Sequence, residues 1–147
     1  MSYHIKYPYA LAATFIWIGF VCAISFMEAW LKFRAPGITL PLGLGIGRIV
    51  FSALNKVEWL LALVVLLNMI FARFNLLSLN NLAYFIPLII VALQSFWLLP
   101  ILDARAELYI TSQIVPASNI HFVYVLFEII KVVCLFIYGI KLFKQIN

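Results

Sequence analysis

From Tyr7 to Met27 the chain carries no charged side chain, and it does so again from Leu82 to Leu102. Each stretch is long enough to cross the ~30 Å hydrocarbon core of a bilayer as an α-helix. Lipid cannot hydrogen-bond a bare backbone, so a spanning segment of this kind satisfies its amides internally and is helical. Whole-chain composition agrees. Of 147 residues 67% are hydrophobic and only 10% are charged, with a mean hydropathy of +1.14, whereas about a quarter of a soluble domain is charged. The sequence predicts an all-α polytopic membrane protein, a single domain over 1–147. Its four transmembrane helices are expected at about 8–33, 50–73, 82–104 and 118–143. Nothing is left over for a soluble catalytic domain.

The first run lacks the basic leader, short core and small-residue cleavage site of a signal peptide, and is read as a retained helix. Trp30, Lys32 and Arg34 form its exit anchor, and Ala35-Pro36-Gly37 is a turn signal. The stretch Leu40–Lys56 is interrupted by Pro41, three glycines and Arg48. It reads as an interfacial or re-entrant helical segment before the second span. The charge-free part of that span, Trp59 to Ala72, covers only about 21 Å, so the span borrows residues from Lys56–Glu58 and draws polar groups to membrane depth. Arg73 and Asn75–Asn81 form a polar turn, and Pro87 and Pro100 are expected to bend the third span. The helix is expected to break down around Asp103 to Gln113. Ser118 then caps a fourth helix anchored by Lys141 and Lys144.

Four spans put both termini on one side. The five acidic residues, Glu28, Glu58, Asp103, Glu107 and Glu128, all thread into the opposite half. Charge at membrane depth is unfavourable, which makes such a grouping the first place to look for function. His121, Glu128 and Lys131 share one helical stripe with Tyr124, and Arg48, Ser52, Asn55 and Glu58 share another. Lys131, about two-thirds of the way back from the loop, needs a partner, and Glu128 lies one turn away. Glu58 is expected to pair with Arg48 or Lys56. A polar cavity open to the loop side would be lined by Glu28, Arg48, Asn55, Glu58, Asp103, Arg105, His121, Glu128 and Lys131.

Such a cavity would bind or pass a small polar or ionic solute, or a lipid head group. His121 would titrate near neutral pH and supply proton coupling. Transport through so thin a bundle would call for a homo-oligomer. Alternatively, the same residues are ion pairs that set helix register where no hydrophobic force drives helices together. A membrane-embedded enzyme acting on a lipid or quinone-like substrate, with His121 and a carboxylate as acid and base, is a further reading. So is an accessory subunit of a larger membrane complex.

Other classes fit poorly. The net charge of +5 is scattered, which suits lipid head groups as partners and not nucleic acid. His121, Glu58 and Glu128 are metal-ligand types, but the Glu-x-x-His pairs of carboxylate-bridged bundles are absent, so no metal or other cofactor is expected. His4 and His121 fall at opposite ends, which disfavours bis-histidine haem. Cys22 and Cys134 read as small buried hydrophobes. Gly43-x-Gly45-x-Gly47 follows no strand and reads as close packing or a flexible loop, with Gly43 and Gly47 at small-x-x-x-small spacing. Arg105, inside Asp103-Ala-Arg105-Ala-Glu107, is the residue suited to an anionic ligand group or lipid phosphate.

Glu28-Ala-Trp30-Leu-Lys-Phe33, Leu40-Pro41, Gly47-Arg48 and Phe51, with Ile101-Leu-Asp-Ala-Arg105 further on, carry a resemblance. The chain resembles the small four-helix membrane proteins of unknown function of the transmembrane-protein-two-hundred-and-five-like class. The resemblance implies the four-helix layout and brings no activity with it. His121, Glu128 and Lys131 lie outside it.

Lys6, Arg73, Lys141 and Lys144 flank the termini side, against Lys32, Arg34, Arg48, Lys56 and Arg105 opposite. With the last three paired to acids, the remaining balance favours cytoplasmic termini. Reporter domains fused before Met1 and after Asn147 should score on the same side of the membrane, and one inserted at Pro36 on the other. Opposite signals from the two termini would rule out an even number of spans.

Overall fold

A computed structural model of the chain describes residues 6–71 and 82–144. Among the described residues all regular structure is helical. Four helices are long and apolar enough to cross a membrane: α1 (Pro8–Arg34), α2 (Leu40–Phe71), α3 (Ala83–Ile110) and α4 (Ile120–Phe143). Their outward faces are apolar, with Ile49, Phe71, Phe96 and Phe122 largely exposed. In water so much contiguous apolar surface would drive association, so the exterior is that of a multi-pass membrane protein.

Helix α1 lies against α2 and α4; the first half of α3 packs on α4 and its last turns pack on α2. Neighbouring helices run antiparallel. Trp17 of α1 meets Glu58 of α2, whereas Ala10, nearer the start of α1, meets Asn68, nearer the end of α2. Trp17, Val21, Val65, Tyr84, Leu135 and Tyr138 fill the core. The Tyr84 and Tyr138 rings lie 5.5 Å apart, and the Tyr84 hydroxyl donates to the Ala62 carbonyl at 2.7 Å.

Pro8 opens α1, where its missing N–H is no loss. The free Ala10 N–H of that first turn donates to Asn68 Oδ1 at 3.1 Å. The helix widens into π turns over Cys22–Glu28 and tightens over Lys32–Arg34. Trp30 forms the expected anchor, donating to the Phe26 carbonyl and stacking under Arg34. Gly37, at φ 81°, makes the turn that follows.

Helix α2 differs from the sequence expectation. No break separates Leu40–Lys56 from the second span. One α-helix of 32 residues runs from Leu40 to Phe71, about 48 Å long. The glycines do not interrupt it because neighbours press on them. A Cβ on Gly43 would run into the Phe33 ring, and one on Gly47 would lie 3.3 Å from Lys32 Nζ. The run is a packing surface and not a flexible loop.

Helix α3 also runs further than expected. It does not fail at Asp103 but continues to Ile110. Asp103 and Glu107, one turn apart, both reach Arg48 of α2, and alanines at 104 and 106 favour helix. The stop comes at Ser112, whose φ of 55° lets its N–H reach the Tyr109 carbonyl while Gln113 reaches back to Leu108. Pro87 sits inside the helix, and Pro100 follows a π turn over Gln94–Leu98. Proline offers no N–H and its ring displaces the carbonyl four residues earlier, so the ladder slips there.

Helix α4 starts at Ile120, whose N–H donates to the Ser118 hydroxyl at 3.2 Å. Cys22 is exposed and Cys134 half-buried, so neither thiol is the fully buried hydrophobe expected. His4 and the turn over Arg73 and Asn75–Asn81 lie outside the described residues.

Where α1 and α4 cross, a Cβ on Gly139 would sit 2.9 Å from the Phe15 ring. Gly139→Leu should therefore cost about 1–3 kcal/mol through overpacking, read as a lower thermal midpoint in detergent. Adding Phe15→Ala should recover most of the loss, and no recovery would mean that the contact is not what limits the site.

Candidate functional site

On α2, Leu54, Glu58, Ala62, Val65 and Met69 are buried at helical spacing, so the inner face carries Glu58 into the bundle. On α4 the inner stripe is Tyr124, Glu128, Lys131, Leu135 and Tyr138. The π turn of α3 supplies Gln94, and α1 supplies Trp17. Glu58, Gln94, Glu128 and Lys131 are all 0% exposed.

Lys131 organises the group. Its ammonium is 2.7 Å from Gln94 Oε1 and 3.1 Å from Glu128 Oε1, and it forms an ion pair with Glu58 Oε1. Three N–H donors thus meet three acceptors, the full capacity of a lysine. Gln94 Nε2 donates to Glu128 Oε1 at 2.7 Å, and Trp17 Nε1 donates to Glu58 Oε1 at 2.8 Å. The Gln94 amide is oriented by its neighbours, oxygen to the ammonium and nitrogen to the carboxylate. Among the described residues Glu58 Oε2 and Glu128 Oε2 are buried with no hydrogen-bond partner. Two carboxylates therefore share one ammonium, with an oxygen of each left over.

The expected pairing of Glu128 with Lys131 is present, and the expected pairing of Glu58 is corrected. Glu58 faces inward to Lys131, while Arg48, ten residues earlier, projects toward α3. Lys131 lies midway along α4 (Ile120–Phe143), not two-thirds of the way back from the loop. The cluster thus occupies the middle of the bundle and draws on all four helices.

The nine residues expected around one cavity do not share one. Arg48 grips Asp103 through Nε at 2.5 Å and Nη2 at 2.9 Å, and reaches Glu107 through Nη1, on a part-exposed surface. Glu28 pairs with Lys32 at 3.2 Å within α1. Asn55 Oδ1 accepts from the Ser95 hydroxyl, which also accepts from Trp59 Nε1. Arg105 donates to the Pro116 carbonyl at 2.8 Å, which ties down the α3–α4 connection. His121 is exposed in the first turn of α4, without a hydrogen bond or ion pair among the described residues. It begins the predicted stripe, but the bundle closes only from Tyr124 onward. Among the described residues no three of His, Cys, Asp or Glu come together as a metal site would require.

Gln94 and Trp17 were not among the residues singled out from the sequence. Gln94 did have a signal, as the lone amide in the charge-free run Leu82–Leu102. Trp17 had none, since nothing local separates it from the aromatics around it. Comparison of the chain with family models, with characterised proteins and with solved structures finds no match in any of the three. The site is therefore read from its geometry.

Removing one member should expose the others. Lys131→Met should destabilise the bundle by roughly 3–5 kcal/mol, because two buried carboxylates then lack a counter-charge. Adding Glu58→Gln and Glu128→Gln should restore most of that stability, measured by unfolding in detergent. A triple variant as unstable as the single one would show that packing, and not charge, is at stake.

Proposed function

We propose that this is a membrane-embedded four-helix bundle whose Glu58–Glu128–Lys131 cluster takes up one proton and serves proton-coupled movement of a small solute. The observation that carries the reading is the unequal count: among the described residues, two fully buried carboxylates meet one ammonium. An uncompensated charge in a low-dielectric interior is strongly unfavourable, so the cluster calls for one more positive charge. A hard metal cation would want six or so oxygen ligands, and two spare oxygens cannot supply them. One proton on either carboxyl balances the charge.

A pure register lock needs only one acid and one base. The second acid adds desolvation without adding a donor, since every N–H of Lys131 is already engaged. A proton shared between the two acids gives the cluster two charge states, and two states are what coupling requires. Tyr124 borders Glu128 on the loop side of the cluster and is itself buried. Passage across the membrane would still draw on a second copy of the chain, because a single four-helix bundle is thin for a pore.

Infrared spectroscopy of the protein in lipid tests this. The wild type should show the carbonyl stretch of one protonated carboxylic acid per chain, shifted on deuteration, and Glu58→Gln or Glu128→Gln should abolish it while the fold persists. Each isosteric change should leave the thermal midpoint level or raised. A folded wild type without that band across the accessible pH range would sink the proposal.

A further inference from the structure

Along the outer face of α2, Gly45, Arg48, Ile49, Ser52 and Lys56 fall on one stripe, and Asp103 of α3 closes its loop end. Between them lies an open depression of about 570 Å³. Its chemistry is separate from the buried cluster, which faces the other side of α2. It is instead a groove bearing polar groups on a surface otherwise made of apolar side chains such as Leu60 and Leu63.

Lys56 is the anomaly. It lies two residues before Glu58, about 3 Å along the axis from the level of the buried cluster. It is exposed, and it has no ion pair among the described residues. A free ammonium near the middle of a span, turned toward lipid, is unfavourable unless it reaches polar company. Side chains on a helix lean toward its N-terminus, which here is the loop end, so Lys56 extends toward Ser52 and Arg48. The groove is where its ammonium arrives.

The rim decides what would meet it there. Arg48 is already held by Asp103 and Glu107, whose side chains remain 53% and 52% exposed and so keep acceptor capacity on their outer faces. Two cations and two carboxylates make the rim neutral overall. An anionic head group would leave a net negative charge, whereas a zwitterionic one leaves none. A primary ammonium can also donate hydrogen bonds to the carboxylates, which a quaternary one cannot.

We propose that this groove binds the head group of a zwitterionic phospholipid carrying a primary amine. Its phosphate rests on Lys56 and Ser52, and its ammonium on the outer faces of Asp103 and Glu107. The acyl chains then run deeper into the membrane along Leu60, Leu63 and Leu67, the exposed apolar continuation of the same stripe of α2. This site stands independently of the proton reading, since none of its residues belongs to the buried cluster.

Native mass spectrometry of the full chain released from micelles doped with phosphatidylethanolamine, phosphatidylcholine or phosphatidylglycerol is the test. Wild type should retain the ethanolamine lipid in preference to the other two. Lys56→Gln should reduce that retention roughly tenfold, the value of one charge-assisted contact, while Lys56→Arg keeps it. Lys56 is exposed, so both variants should stay folded and monodisperse, checked by helical circular dichroism. Equal retention of the three lipids, a preference for the anionic or the choline lipid, or undiminished retention by Lys56→Gln would overturn the proposal.

Discussion

The ammonium of Lys131 is the point on which the bundle converges. It touches α2 through Glu58 and α3 through Gln94, and Glu58 in turn holds α1 through Trp17. In a bilayer, apolar side chains gain little by leaving lipid for one another, so helix association relies on close packing and interhelical polar contacts. A single lysine with three engaged donors therefore sets the relative height and rotation of four helices at once. The packing around it follows suit. Gly139 admits Phe15 where α1 crosses α4, and Tyr84 and Tyr138 fill the level nearer the termini.

The loop end is organised differently. Arg48 clamps two carboxylates spaced one turn apart on α3, and Glu28 and Lys32 pair within α1. These contacts are partly exposed and so contribute less than the central cluster. They fix direction more than they add stability. Clamping Asp103 and Glu107 keeps α3 helical to Ile110, and Arg105 then secures the connection to α4 through the Pro116 carbonyl. As a result α2 projects a flank with polar groups beyond the core cluster, and Lys56 on that flank has no ion pair among the described residues.

Much of the layout was legible in the residues. Hydropathy placed four helices, Pro8 and the Ala35–Gly37 turn marked ends of α1, and the stripe Tyr124, Glu128, Lys131 announced the inner face of α4. The misreadings share a cause. Leu40–Lys56 looks broken because glycine and proline are weak helix residues in isolation, yet Phe33 and Lys32 press on those glycines and the helix continues. Asp103–Glu107 looks like a solvated loop because its charges alternate, yet Arg48, 55 positions away along the chain, collects two of them. His121 shares a periodic stripe with Glu128, but periodicity does not say where along a helix the neighbours begin.

The amino-acid sequence by itself determined that the chain is all-helical, that it has four segments able to cross a membrane, and that Glu128 and Lys131 lie within bonding distance of each other. Those are local properties, set by backbone hydrogen bonding in an apolar medium and by the 3.6-residue turn. Only the tertiary structure decided that Glu58 completes the pair, that Gln94 and Trp17 satisfy it, and that Arg48 and His121 stand apart. Which long-range partners meet depends on how helices distant in sequence are rotated against one another, and that rotation is settled by shape and charge in the packed bundle.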